Sequence, residues 1–150
     1  MDKKIIKKRI RTIRSRLKKE GIDCLIVSKQ ANVSYVTGFC GDDSWAVIGP
    51  RGVYLLTDNR YTEQAKGQCS NCTIIERKES LTKAAASLVN RLKSAKKTAI
   101  ENSVSADVYD ELKKKIDVQR DNDVLVRADH DNGAAPVRKH TLEQTLAVDP

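Results

Sequence analysis

Apolar positions along the chain alternate between two spacings. Ile6, Ile10, Ile13 and Leu17 recur every three or four residues, which places one apolar stripe on a helix that Gly21 can stop. Ile22 to Val27 is an apolar run of strand length, interrupted by Asp23. Ser28 to Ala31 can open a short helix carrying Asn32 to Tyr35, and Thr37 to Asp43 follow as a glycine-bearing loop. Trp45 to Ile48 and Val53 to Thr57 read as strands on either side of the turn Gly49-Pro50-Arg51-Gly52, so they must pair as an antiparallel hairpin. Asp58 is placed to cap the next helix, which holds Tyr61 to Ala65 and which Gly67 ends.

Thr73 to Ile75 reads as a fourth strand. Leu81, Ala84, Ala85, Leu88, Val89 and Leu92 then line one face of an amphipathic helix capped by Ser80. Lys96 to Glu101 contains a fifth strand, and Ser105 caps a last helix through Val108, Leu112 and Ile116. From Gln119 the pattern lapses. Arg120 to Asn132 is polar, Gly133-Ala134-Ala135-Pro136 is a breaker, and Val137 to Pro150 has only weak periodicity. Strands alternating with amphipathic helices predict an α/β domain over residues 1–118, with 119–150 as an irregular tail or linker.

A chain of 150 residues is long enough to bury an ordinary core as one domain. With one Phe and one Trp, that core must be built from Ile, Val, Leu and Ala. The net charge of +8 is confined to the first helix, where ten basic residues face only Asp2 and Glu20; beyond Gly21 the charges cancel. Such a run is usually a solvated helix face. The sharper alternative is a stand-alone binding module whose basic helix holds RNA or another polyanion through its phosphates. No stacking aromatic or RNA-binding signature accompanies the helix, so nucleic acid stays the lesser alternative. No apolar run approaches the length of a membrane span, and no hydrophobic block follows the basic start as a secretory signal would require. The basic, amphipathic start leaves an organelle transit peptide as a weaker option, and the chain reads as cytoplasmic.

Little in the chain resembles a catalytic set. Cys69-Ser70-Asn71-Cys72 is a C-x-x-C, but a redox pair favours a helix N-terminus and a zinc site needs two further ligands, so an incidental or packing role is the first reading. His130 and His140 both fall in the irregular tail. Ser28, Ser34 and Ser44 lack a nucleophile-elbow setting, and no phosphate-binding glycine loop is present. Arg60, between Asp58 and Tyr61 just after a strand, could hold a carboxylate with its planar fork. The commoner arrangement is a structural pair with Asp58 or Asp42 that fixes the loop.

The ordered set Gly21-Ile22-Asp23-Cys24-Leu25-Ile26-Val27, Asn32-Val33-Ser34-Tyr35-Val36-Thr37-Gly38-Phe39 and Leu55-Leu56-Thr57-Asp58-Asn59-Arg60-Tyr61 with Gln64-Ala65 resembles the creatinase/prolidase N-terminal domain of Xaa-Pro aminopeptidases and dipeptidases. The resemblance runs from about Arg9 to about Ile116. It implies a three-layer α/β/α fold with a mixed five-stranded, ribonuclease-H-like sheet. It also implies a non-catalytic domain that builds a homodimer or larger oligomer and walls a cleft for proline-containing peptides. Phe39, Asp42, Trp45, Asp58, Arg60 and Tyr61 match the cleft-facing motifs and become candidate substrate-wall or interface positions. Two divalent metal ions (Mn, Co or Zn), held by two Asp, one His and two Glu, are implied for a separate catalytic half; this chain supplies no catalytic or metal-ligating set. The helix that usually leads into that half has no match after Val118.

Overall fold

A computed structural model of the chain describes residues 2–117 and 125–127. The elements are α1 (Lys3–Lys19), β1 (Cys24–Val27), α2 (Gln30–Thr37), β2 (Trp45–Ile48), β3 (Val53–Thr57), α3 (Thr62–Gln68), β4 (Thr73–Glu76), α4 (Leu81–Arg91), β5 (Thr98–Ile100), α5 (Ala106–Asp117) and β6 (Leu125–Arg127).

Local rules account for most of these bounds. The Asp2 carboxylate accepts from Lys4 N at 2.8 Å and starts α1. Gly21, at φ 73°, takes the left-handed conformation just past its end. Ser80 and Ser105 begin α4 and α5 with side-chain bonds to Lys83 N (3.2 Å) and Val108 N (3.3 Å). Gly49 N donates to Gly52 O at 2.8 Å, closing the hairpin turn.

Two local expectations are corrected. Asp58 does not cap α3: the helix starts later, with Tyr61 at its N-cap and no side-chain cap bond. The Asp58 carboxylate is taken instead by the Arg60 N–H and guanidinium. Nor does Gly67 end α3, which runs on to Gln68.

The sheet order is β4-β3-β2-β1-β5-β6. β2 runs antiparallel to β1 and β3, whereas β1–β5, β3–β4 and β5–β6 are parallel. One reversed strand therefore sends the starts of β2 and the ends of β1, β3, β4 and β5 to the same edge. Strand alternation sorts the core into two halves. Leu25, Val27, Ala46, Ile48, Val53 and Leu55 pack with the α1 stripe, Val33 and Val36. Cys24, Ile26, Val47 and Leu56 pack with Ala85, Leu88 and Val89 of α4 and Leu112 and Ile116 of α5. Both faces of β1 are covered, which explains its unbroken apolar sequence. The α/β/α layering is as expected.

The strand count is not. A sixth strand, β6, lies within the stretch 119–150 where no pattern was visible. Its reason is tertiary. Leu125 is buried beside Thr98 of β5, and Tyr109 OH donates to Leu125 O at 3.3 Å. The Arg127 guanidinium donates to Asn102 O and Val104 O and lies 4.5 Å over the Tyr109 ring. Three residues in a polar context carry no readable period. His130, His140 and the rest of the proposed tail lie outside the described residues.

Candidate functional site

The edge where β1, β3, β4 and β5 end and β2 begins gathers the loops that the sequence marks out. In an α/β sheet such an edge is where ligands are commonly held.

Asp58 follows β3. Its Oδ1 accepts from Arg60 N at 3.0 Å, which folds the loop back on itself as an Asx turn. The same carboxylate takes Arg60 Nε at 3.1 Å to each oxygen and Nη2 at 2.6 Å. This hydrogen bonding from Arg60 holds the Asp58 carboxyl below its ordinary range and pushes the Arg60 guanidinium further up. Arg60 Nη2 also reaches Asp43 Oδ2 at 2.8 Å. Asp43, not Asp42, is thus the second partner. Asp43 sits at φ 54°, a left-handed conformation that Asp tolerates better than most side chains, and this turns its carboxylate toward the arginine. Asp42 is exposed and, among the described residues, offers only its carbonyl, to Ser44 Oγ at 2.9 Å.

Arg77, at the end of β4, completes the cluster. Its Nη2 lies 2.9 Å from Asp43 Oδ2 and 3.5 Å from Asp58 Oδ2, and Nη1 donates to Glu79 O at 2.9 Å. Two arginines and two aspartates thus neutralise one another across three loops. Arg77 and Asp58 are mostly buried, with side chains 14% exposed, whereas the Arg60 side chain is 62% exposed. Arg60 Nη1 has no hydrogen-bond partner among the described residues. Only Arg60 therefore presents donors outward, and its guanidinium lies 5.2 Å from the Tyr61 ring.

The other expected positions divide. Tyr61 is half-buried, and Phe39 packs edge-on against it at 6.0 Å between ring centres. Phe39 is itself fully buried, so it underlies the surface and does not wall it. Trp45 packs with the α4 side of the sheet, on the opposite face from Phe39 and Tyr61. Ser44 Oγ and Thr57 Oγ1 share a hydrogen bond of 2.8 Å that ties the start of β2 to the end of β3. Asn32 has a structural partner: its amide donates to Glu101, whose other oxygen accepts from Ser28 N (2.6 Å) and Lys29 N (3.0 Å) at the start of α2. The roles of Asp43, Arg77 and Glu101 went unread in the sequence. Arg77 has one available signal, an arginine just beyond the strand expected at Thr73 to Ile75.

The carboxylates here do not suit a divalent cation, because Asp43 and Asp58 are already occupied by guanidinium groups. Among the described residues no group of three or more His, Cys, Asp or Glu side chains could hold a metal. Nor, among them, is any helix long and apolar enough to cross a membrane.

A three-layer α/β/α domain with one reversed strand and its marked loops on one edge defines a recognisable class. The chain belongs to the creatinase/prolidase N-terminal domain family, which matches residues 9–131. It is 37% identical over 89 residues to the uncharacterized peptidase YqhT of Bacillus subtilis (strain 168), a match covering 59% of this chain and 25% of that protein. The chain thus spans about a quarter of the curated relative it matches. Its fold is similar to the N-terminal domain of the cytoplasmic peptidase PepQ from Mycobacterium tuberculosis, with TM-score 0.76, 23% identity, and coverage of 92% of this chain and 98% of that one. It is also similar to an X-Pro aminopeptidase from Thermotoga maritima, with TM-score 0.62, 27% identity, and coverage of 77% of this chain and 33% of that one.

Proposed function

We propose that this domain is the non-catalytic N-terminal part of a cytoplasmic Xaa-Pro peptidase, where it self-associates and walls the cleft in which a proline-containing peptide is held. The chemistry belongs to a metal-dependent catalytic half, approached through residues 119–150. Family membership and the peptidase description of YqhT support the assignment. The observation that carries the cleft role is the Arg60 guanidinium, fixed by Asp58 and Asp43 yet turned outward beside Tyr61. With Nε and Nη2 taken by the aspartates, the guanidinium is held so that Nη1 is pre-ordered to donate to a peptide carboxylate.

Titrating an isotope-labelled chain with a Xaa-Pro dipeptide tests this reading. The Arg60 Nε–H and Tyr61 amide signals should shift, and Arg60→Ala should abolish the change at Tyr61. Equal shifts in the variant would overturn the cleft role. Turnover of the dipeptide by this chain with Mn²⁺ or Co²⁺ would overturn the non-catalytic role, and a monomer at every concentration in sedimentation equilibrium would overturn self-association.

One observation favours the polyanion reading as second. Two of the ten α1 cations have structural work: Arg9 donates to Tyr35 O at 2.9 Å, and Arg14 donates to Gly49 O at 3.0 Å. Lys3, Lys4, Lys7, Lys8, Arg11, Arg16, Lys18 and Lys19 stay exposed, with no ion pair to an acid among the described residues. A mobility shift with RNA that weakens steeply with salt would support this reading.

A further inference from the structure

The cysteine pair lies in a setting that the cleft role does not use. Cys69 follows α3 and Cys72 precedes β4. Cys69 is buried with 6% exposure, and Cys72 is half-buried at the margin of the same core cluster. Both are free thiols three positions apart in one loop, Cys72 packs against the core cluster that holds Cys69, and each thiol is the main influence on the other's titration. Cys72 also lines a surface groove of about 420 Å³ with Lys3, Lys7, Ser70, Asn71 and Thr73. Asn71 Nδ2 donates to Lys3 O at 3.0 Å, which holds the first turn of α1 against the Cys69–Cys72 loop. Neither lysine has an acidic partner among the described residues.

We propose that Cys69 and Cys72 form a reversible disulfide by exchange with a small anionic disulfide, which enters through the groove flanked by Lys3 and Lys7. The accessible Cys72 attacks as thiolate. It bonds to one sulfur of the reagent, whose sulfur–sulfur bond breaks and releases one thiolate. Cys69 then attacks the Cys72 sulfur, the mixed disulfide breaks, and the second thiolate leaves. The two cysteine protons end on the two released thiols. The protein pair is oxidised by two electrons and the reagent is reduced by two.

The interaction between the two thiols slows the first step, because it leaves less of Cys72 as thiolate. It lowers the Cys69 thiol and raises that of Cys72, because one proton is shared between two sulfurs and the first loss favours a single charge on the pair. The position at the end of α3 argues against a fast oxidoreductase, since the negative pole of a helix disfavours a thiolate. The pair is therefore a site of slow, reversible modification. The lysines supply selectivity, since a cationic groove raises the local concentration of an anionic reagent and hardly affects a neutral one.

The test uses the reduced full chain, with oxidised glutathione as the anionic probe and hydroxyethyl disulfide as the neutral one. Acid quenching, alkylation and peptide mass analysis locate the products. The expected product is a Cys69–Cys72 disulfide that dithiothreitol reverses. Cys69→Ser should stop at the mixed disulfide on Cys72, and Cys72→Ser should leave Cys69 unreacted. Reversing both lysines (Lys3→Glu with Lys7→Glu) should slow the anionic probe by about tenfold more than the neutral one, a difference that salt erases. Circular dichroism confirms that each variant is folded. Absence of the Cys69–Cys72 product overturns the dithiol site. Equal slowing of both probes overturns the selectivity of the groove.

Discussion

Arg60 Nη2 lies 2.6 Å from Asp58 Oδ2, two residues away in sequence, and 2.8 Å from Asp43 Oδ2, seventeen residues away. The first pair belongs to one loop and the second joins two loops of the sheet edge. Arg77 bridges the same two carboxylates from a third loop. The cluster is a neutral clamp that leaves only part of Arg60 facing outward.

Removing Arg60 should return the Asp58 carboxyl upward toward its ordinary range, only in part because Arg77 remains nearby. Carbon-detected titration of the aspartate carboxyls measures this. The sign for stability follows from the depressed folded value. The contribution is present above the unfolded carboxyl pKa of about 4 and is lost as pH falls through the folded value. Urea midpoints of the parent chain should therefore drop with acid below about pH 4, and those of Arg60→Ala should drop less steeply.

Gly41 lies against the Phe39 ring. A Cβ built at Gly41 would stand 2.3 Å from Phe39 Cζ, and Phe39 is fully buried against Tyr61. Gly41→Ala must displace the ring, and overpacking of this kind costs about 1–3 kcal/mol. Equilibrium urea unfolding should show that loss. Changed amide signals at Tyr61 should accompany it, and an unchanged midpoint would count against the packing described for this loop.

Glu101 is buried and accepts from Ser28 N, Lys29 N and the Asn32 amide. Glu101→Ala leaves those donors unsatisfied in a partly dry setting, at about 2–3 kcal/mol. Hydrogen exchange should locate the damage, with α2 losing protection before α4.

Leu125 is buried in β6, beside β5. Leu125→Ala should destabilise the domain by about 2–4 kcal/mol through lost burial and the cavity left behind. A single cooperative unfolding transition shifted by that amount shows β6 to be part of the folded unit. Loss of β6 alone, with the rest unshifted, would make it an appendage.

What could be read along the chain is what depends on near neighbours. The stripe of Ile6, Ile10, Ile13 and Leu17, the caps at Ser80 and Ser105 and the β2–β3 hairpin each follow from residues a few positions apart, where side-chain direction repeats with the backbone. The Arg60–Asp58 pair was legible for the same reason. Packing decided the rest. Asp43 and not Asp42 meets Arg60 because one residue adopts a positive φ, and Arg77 joins because β4 pairs with β3. The sheet puts Trp45 and Phe39 on opposite faces, and three residues become β6 only because β5 presents a free edge to them. Such outcomes depend on groups brought together from distant positions, and no local period records them.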